Sequence, residues 1–125
     1  MTAENSLVTL HAVRVLRCAP DGPPLDSERA ALDLIGDAFG HEAEVVAVPV
    51  DRVGEEFFRL SSGVAGAVMQ KFVMYRVRLA VVGDVTEYVE RSTALRDFVR
   101  ETNAGDHIWF LPDHDELAAR LRPAG

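Results

Sequence analysis

Cysteine is nearly absent from this chain, since Cys18 is the only one in 125 residues. A single cysteine forms no internal disulfide and supplies no zinc cage, so the fold does not depend on an oxidising compartment. Long apolar runs are also missing: a membrane span needs about 20 apolar residues, whereas the longest runs here are as short as Val45–Val50. Residues 1–6 lack the basic and apolar regions of a secretory signal. These absences predict a cytoplasmic protein.

The chain also lacks an excess of positive charge. Its 13 Lys and Arg residues stand against 20 Asp and Glu residues, which gives a net charge of −7. An acidic chain without a basic stripe is unsuited to a phosphate backbone, so nucleic acid is not an expected partner. Hydrophobic residues make up 48% and charged residues 26%, as in compact globular proteins. A chain of this length buries roughly two-thirds of its unfolded surface, so we expect one domain over residues 1–125.

Motifs for common chemistries are missing as well. The sequence contains no Walker loop and no GxGxxG fingerprint, which argues against the usual routes of nucleotide use. Its four histidines show neither HxH nor HExxH spacing, so neither a metal site nor a cofactor is expected. A serine nucleophile at Ser61 or Ser62 needs a histidine base, and no histidine lies near them in sequence. The sequence therefore leans against an enzyme.

What is present is a regular alternation of strand and helix patterns. Residues 7–19 are rich in Val and Leu, are broken at His11 and Ala12, and predict a β-hairpin. Three unbroken apolar runs predict strands that are covered on both faces: Val45–Val50, Leu79–Val82 and Ile108–Leu111. Such strands are typical of parallel sheets.

Apolar residues at three-and-four spacing predict four helices, over residues 30–39, 64–73, 95–102 and 113–121. Ser27 or Asp26 caps the first, and Gly40 follows its end. The order is thus β-β-α-β-α-β-α-β-α, in which each strand–helix–strand unit requires a parallel, right-handed crossover. We expect an α/β fold with an N-terminal hairpin and a mixed, mostly parallel sheet of four or five strands.

The segment Ser61–Gly66 is the strongest candidate for a site, because it lies where an irregular stretch, residues 51–60, gives way to the second predicted helix. Serines such as Ser61 and Ser62 at a helix N-terminus meet free amides and the positive end of the helix dipole, which stabilise an anion or a phosphoryl group. Gly63 allows a ligand or another backbone to approach closely. A second interpretation stays open, in which the serines cap the helix and the glycines pack it.

Three further residues complete the set of binding candidates. Asp84 follows Gly83 at the carboxyl end of a predicted strand, where ligands bind in open α/β sheets. The alternative for Asp84 is an ordinary turn, which is a frequent role of Gly-Asp. Gln70 and Tyr75 belong to the polar end of the second predicted helix.

Several segments resemble a bacterial family described as domain of unknown function 4180, and together they cover nearly the whole chain. They are Glu56–Phe58, Ser61–Gly66, Gln70–Phe72, Tyr75–Arg76, Leu79–Asp84, Leu95–Phe98 and Glu101–Asn103. That family has no established biochemical activity, so the resemblance implies no catalytic residue.

The element order and the segment Leu60–Ala65 also resemble the STAS domain of anti-sigma-factor antagonists and sulfate transporters. In that family an Asp-Ser-Ser-Gly-Leu-Gly motif opens the second helix, and a partner kinase phosphorylates its first serine. The resemblance implies that Ser61 is the phospho-acceptor and that Leu60 replaces the aspartate of the motif. It also implies a STAS-like fold and a regulatory, protein-binding function.

Two functions therefore stay open. The first is a cytoplasmic regulatory or protein-binding module, whose contact surface centres on Ser61–Gly63 and the exposed side of the second helix. Its partner is another protein or a second copy of the chain. The second is a small-molecule binder or small enzyme with a pocket between Ser61, Ser62 and Asp84.

A single structural feature separates these functions. In the small-molecule hypothesis Tyr75 or His107 joins the pocket, and a cavity of at least about 300 Å³ supports it. An exposed apolar patch that includes Phe57, Phe58 or Met74 supports a protein partner. The sequence does not separate self-association from a foreign partner.

Overall fold

The computed structural model describes residues 5–123 and holds five strands and six helices in that range. The strands are β1 (Ser6–Leu10), β2 (Val13–Arg17), β3 (Val45–Pro49), β4 (Arg78–Val82) and β5 (Ile108–Leu111). The helices are α1 (Glu28–Gly40), α2 (Gly54–Phe58), α3 (Val64–Met74), α4 (Thr86–Arg91), α5 (Thr93–Ala104) and α6 (His114–Leu121). Single 3-10 turns precede α2 and α3, at Val50–Arg52 and Leu60–Ser62.

The sheet has five strands in the order β1-β2-β3-β4-β5. β1 and β2 form an antiparallel hairpin, in which Leu10 pairs with Val13 across a turn at His11 and Ala12. β2, β3, β4 and β5 run parallel to one another. This arrangement confirms the predicted α/β fold with its mixed, mostly parallel sheet.

One face of the sheet packs against α1, α3 and α5. Right-handed crossovers that all step in the same direction along the sheet place their helices on the same face. The core between them is apolar and fully enclosed, with Leu16, Val46 and Leu79 from the strands and Val68 and Phe72 from α3. Burial of this kind, at about 25 cal/mol per Å² of apolar surface, is the main force that holds the layers together.

The other face of the sheet is covered by α6. Leu117 and Leu121 of this helix pack on residues of β2–β5 that point away from the first core, such as Val15 and Ala80. Asp113 caps the helix, because its side chain accepts a hydrogen bond from the Glu116 amide at 2.8 Å. Strands that are apolar on both faces therefore have a cover on both faces, as their unbroken patterns predict.

The structure corrects the predicted helices in three places. Gly40 is the last residue of α1 and His41 its C-cap, so the helix continues one residue further than predicted. The stretch 51–60, predicted to be irregular, contains a 3-10 turn and α2. α4 lies where no helix was predicted. Both missed helices have six residues or fewer, which is too short to show a helical repeat in the sequence.

Among residues 5–123, no helix combines the length and the apolar character that a membrane-crossing segment needs.

Candidate functional site

The carboxyl ends of the parallel strands form the edge of the sheet at which Ser61, Gly63 and Asp84 lie. Arg52 organises this edge, because it is only 5% exposed and donates hydrogen bonds to the carbonyl oxygens of Ala19 and Pro23, both at 3.0 Å. Its guanidinium group lies directly on Gly22, where an added Cβ would be 2.5 Å from the Arg52 Cζ. The loop after β2 is thereby fixed to the segment after β3.

Gly63, and not a serine, is the N-cap residue of α3. Its φ of +78° is the left-handed conformation that favours glycine. The Ser62 hydroxyl donates to the Glu56 carbonyl oxygen at 2.6 Å and accepts from the Val64 amide at 3.2 Å. The Ser61 side chain is exposed and forms no hydrogen bond with any residue in the described range. The interpretation in which the serines cap the helix is therefore wrong, because Gly63 is the N-cap and α3 has no side-chain cap hydrogen bond.

Asp84 is engaged in a local turn. Its carboxylate accepts hydrogen bonds from the amide of Thr86, at 2.9 Å, and from the Thr86 hydroxyl. These two bonds hold the pKa of the Asp84 carboxyl below its ordinary value. The turn leads directly into α4, so Asp84 has the turn role that the sequence left open beside ligand binding.

Gln70 and Tyr75 lie farther along α3. Gln70 is exposed in the middle of the helix, and Tyr75 is its C-cap residue. An 11-residue helix is about 16 Å long, so Tyr75 and Ser61 lie at opposite edges of the sheet. His107 lies at the Tyr75 end, where its Nε2 is 3.0 Å from the Phe72 carbonyl oxygen. The structure thus does not bring Tyr75 or His107 to Ser61 and Asp84.

A cleft of about 510 Å³ opens beside Ser61, between α2 and the following 3-10 turn on one side and α4 and the start of α5 on the other. We name it the α2–α5 cleft. It is lined by Glu55, Glu56, Phe58, Arg59, Leu60, Ser61, Tyr88, Arg91, Ser92, Ala94 and Leu95. Of the predicted site residues, only Ser61 belongs to this lining.

Aromatic rings join the two sides of the α2–α5 cleft. Phe58 of α2 stacks on Tyr88 of α4 with ring centroids 4.2 Å apart and planes 17° apart. The Arg91 guanidinium lies over the Tyr88 ring, 5.6 Å from its centroid. Sequence reasoning missed Tyr88 and Arg91, because they lie on α4, which is too short to be recognised by its periodicity.

A second surface feature is apolar and lies on the outer side of α1 and α3. Phe39 is 55% exposed, Val73 53%, Met74 56% and Tyr75 43%, and Leu32 is 39% exposed. The Phe39 and Tyr75 rings are in edge-on contact, with centroids 6.3 Å apart. We name these five residues the α1–α3 apolar face. Phe57 and Phe58, two of the side chains predicted for such a patch, are instead buried in the core.

Two glycines lie in α1 and α3 at positions where the packing of the chain itself leaves room for a side chain. Gly36 lies in α1 and Gly66 in α3, and an added Cβ at either would meet nothing within 4 Å. Glycine inside a helix costs about 1 kcal/mol relative to alanine. The helices therefore carry a cost here that their own packing does not explain.

In the described part of the chain, neither the Cys18 thiol nor a cluster of metal-ligating side chains provides a reactive centre. Burial raises the pKa of the Cys18 thiol to about 11, so at neutral pH it is a protonated core side chain. No three His, Cys, Asp or Glu side chains of residues 5–123 lie close enough together to hold a metal ion.

His114, the first residue of α6, supplies a pH-dependent contribution to stability. Its Nδ1 is buried and has no hydrogen-bond partner among residues 5–123. Burial and then the nearby Arg17 charge lower the pKa of His114, and Asp113 and Asp115 oppose that shift. Because the folded pKa is depressed, the unfolded chain binds the proton more readily, and stability falls as the pH drops below about 6.5, the ordinary histidine value.

We expect the wild-type protein to lose more stability than the His114→Gln variant between pH 7 and pH 5. Urea unfolding at both pH values measures this difference. His11→Gln, which changes an exposed histidine in the hairpin turn, is the matched control and is expected to behave like the wild type. An equal pH response of the wild type and His114→Gln would remove His114 from this role.

The comparisons with known proteins place the chain in a family. A model of the family described as domain of unknown function 4180 (DUF4180) matches residues 10–121. Neither the curated proteins nor the solved structures contain a match to the chain, so the resemblance to the STAS domain stays a prediction. Since the family model spans most of the sequence, the chain belongs to the domain of unknown function 4180 family.

Proposed function

We propose that this protein is a protein-binding module and that its contact surface is the α1–α3 apolar face. The carrying observation is the exposure of Phe39, Val73, Met74 and Tyr75 at the carboxyl ends of α1 and α3, where the Phe39 and Tyr75 rings are in contact. Contiguous exposed apolar side chains commonly mark interaction sites. The predicted contact surface thus shifts along α3, from Ser61–Gly63 to the opposite end of the helix.

The two mid-helix glycines support the same surface. Gly36 and Gly66 leave open space on the outside of α1 and α3, and a partner that packs closely on this space would give their missing side chains a function. In a protein-binding module the cost of a helical glycine is offset by the contact that it permits.

The proposed partner is a second copy of the chain, because the regions that hold α1 and α3 carry opposite charges. Residues 28–51, which include α1, hold six acidic residues and one basic residue, Arg29. Residues 57–83, which include α3, hold no acidic residue and four basic ones. The salt bridges within residues 5–123 connect neighbours on a single helix, and none joins α1 to α3.

A two-fold pair of chains uses these opposite charges. In an isologous interface the same patch meets itself, so α1 of one copy faces α3 of the other. Asp33 and Asp37 of α1 would then approach Lys71 and Arg76 of the partner copy, around a centre formed by the apolar face. The sequence offers no comparable charge pattern that favours a foreign partner, so we propose self-association.

Met74→Glu tests the proposal directly. Sedimentation velocity across the micromolar range is expected to show a dimer for the wild type and a monomer for the variant, because a buried, unpaired carboxylate at the centre of an interface is strongly unfavourable. The matched control is Ala119→Glu, which adds the same charge at an exposed position of α6, on the other face of the sheet. A wild-type chain that stays monomeric at high micromolar concentration would overturn self-association.

Regulation at Ser61 stays a prediction of the STAS resemblance. The exposed Ser61 side chain is open to modification, and a phosphate would add about 1.5 to 2 negative charges there. Leu60 stands in place of the motif's aspartate, and Glu55 and Glu56 line the same cleft. We propose the binding function without this switch.

A further inference from the structure

The α2–α5 cleft has the size and the charge pattern of a ligand site, and it shares no residue with the α1–α3 apolar face. Its volume of about 510 Å³ falls in the range of about 300–1,000 Å³ that is usual for small-molecule sites. Its inner surface is apolar, with Phe58 and Leu95 buried and Leu60 half-buried. The charged residues of its lining come from both sides.

The first charge is a carboxylate on the α2 side. Glu55 and Glu56 both line the cleft, but they differ in their partners. Glu56 already has a close partner, because a guanidinium nitrogen of Arg59 lies 2.7 Å from each of its carboxylate oxygens. The Glu55 carboxylate takes part in no ion pair within residues 5–123. Glu55 therefore remains available on this side to a cationic group of a ligand.

The second charge is a guanidinium group on the α4 side. Arg91 donates its Nε to the Glu87 carbonyl oxygen at 3.2 Å. Its Nη2 lies 3.7 Å from the Glu87 carboxylate, and both side chains are largely exposed, 67% and 87% respectively. An exposed pair of this kind is held weakly. Arg91 also lies against the Tyr88 ring, which keeps its guanidinium group at the cleft. The Nε of Arg91 is engaged by the backbone, but its two terminal nitrogens donate no hydrogen bond within residues 5–123 and can receive a carboxylate from a ligand.

We infer that the α2–α5 cleft binds a small zwitterion with an apolar side chain, the chemistry of an apolar α-amino acid. The carboxylate of the ligand would pair with Arg91, its ammonium group with Glu55, and its side chain would lie on Phe58, Leu60 and Leu95. A simple anion would leave Glu55 unpaired, and a simple cation would leave Arg91 unpaired. This site is separate from the proposed dimer surface and does not depend on it.

The experiment compares the binding of three related ligands to the wild-type chain and to variants of the cleft. Three probes share one ring and differ only in charge: L-phenylalanine carries both groups, 3-phenylpropionate lacks the ammonium group, and 2-phenylethylamine lacks the carboxylate. Amide chemical shifts of the full chain are followed by NMR during each titration. We expect L-phenylalanine to shift residues of the cleft and to bind about tenfold more tightly than either analogue, since each lost partner removes one charge-assisted hydrogen bond.

The variants assign each charge. With Arg91→Gln, L-phenylalanine and 2-phenylethylamine are expected to bind equally, because the carboxylate has lost its partner. With Glu55→Gln, L-phenylalanine and 3-phenylpropionate are expected to bind equally. Arg100→Gln, which changes an exposed arginine of α5 outside the cleft, is the matched control and should keep the full discrimination.

Two results would overturn the inference. One is the absence of any shift at cleft residues with L-phenylalanine and with L-leucine, which tests a smaller side chain of the same class. The other is binding of 3-phenylpropionate as tight as that of L-phenylalanine, which would make the cleft an anion site in which Glu55 has no role. Sedimentation of the same variants is expected to match the wild type, so failure here is distinguishable from failure of the proposed dimer.

Discussion

Gly83→Ala is expected to destabilise the protein by about 3 to 5 kcal/mol, the sum of a backbone strain and a steric clash. Gly83 has a φ of +142°, which lies in a region that side chains other than glycine rarely adopt. An added Cβ would also be 2.7 Å from Cγ2 and 3.0 Å from Cβ of Val50, a branched residue that cannot turn away. Since a domain is stable by only about 5–15 kcal/mol, this single methyl group removes a large share of its stability.

Urea unfolding monitored by circular dichroism measures the effect, and two further variants make it interpretable. Gly66→Ala adds a methyl group in the middle of α3, where nothing of the same chain lies within 4 Å, and at a concentration too low for self-association it is expected to stabilise the monomer by about 1 kcal/mol. Gly83→Ala in a Val50→Ala background removes the clash and leaves the backbone strain, so it should recover part of the loss. A mild effect of Gly83→Ala alone would contradict this geometry.

The position of Gly83 matters because it fixes the edge of the sheet at which the α2–α5 cleft lies. Gly83 donates its amide to the Leu111 carbonyl oxygen at 2.9 Å, directly at the end of β4. The turn at Asp84 and the short helix α4 follow immediately, and α4 carries Tyr88 and Arg91 to the α2–α5 cleft. A shift of this glycine would therefore move one wall of the cleft.

The sequence predicted the layers of this fold well, for a physical reason. Strands such as Val45–Pro49 and Ile108–Leu111 are apolar at nearly every position, because helices cover both faces of the sheet. Long amphipathic helices such as α1 repeat that signal every three or four residues. Parallel pairing then follows from the strand–helix–strand order, because a crossover of that length permits little else.

The candidate site was much less predictable, because it depends on short elements and on distances. The residues Phe58, Tyr88 and Arg91 lie on helices of five and six residues, which leave no periodic pattern in a sequence. The predicted helix over residues 64–73 already separates Ser61 from Tyr75 by about 15 Å, so a pocket that holds both residues was inconsistent with that helix. Exposure of Phe39 and Val73 was equally hidden, since both fit the apolar stripe of their helices.

Asn103 illustrates a role that sequence patterns alone do not show. The predicted helix ends at residue 102, yet Asn103 lies inside α5. Its side chain accepts from the Phe110 amide at 2.7 Å and donates to the Phe110 carbonyl oxygen at 3.0 Å. The amide group thus pairs with the backbone of β5, the last strand of the sheet, as a further strand would. Asn103 therefore supports the end of the sheet rather than a ligand.

Exchange of the charges on α1 and α3 is expected to convert the self-associating chain into two chains that associate only with each other. Asp33→Lys with Asp37→Lys makes the α1 side of the face basic, like the α3 side. Lys71→Glu with Arg76→Glu makes the α3 side acidic, like the α1 side. Each double variant then opposes like charges across its own two-fold interface, and we expect its self-association to weaken by about tenfold or more.

Mixing the two double variants restores the attraction. The basic α1 of the aspartate variant faces the acidic α3 of the second variant, and the basic α3 of the aspartate variant faces the acidic α1 of the second. Sedimentation velocity of the two separate chains and of their equimolar mixture measures this, and native mass spectrometry identifies the mixed pair by its mass. Because these charges are exposed, high salt is expected to reduce the difference. The mixture separates attraction between chains from attraction between α1 and α3 within one chain, since only the former yields a heterodimer. If the mixture associates no better than its components, α1 and α3 do not face each other across a two-fold axis, and the apolar face meets its partner in another way.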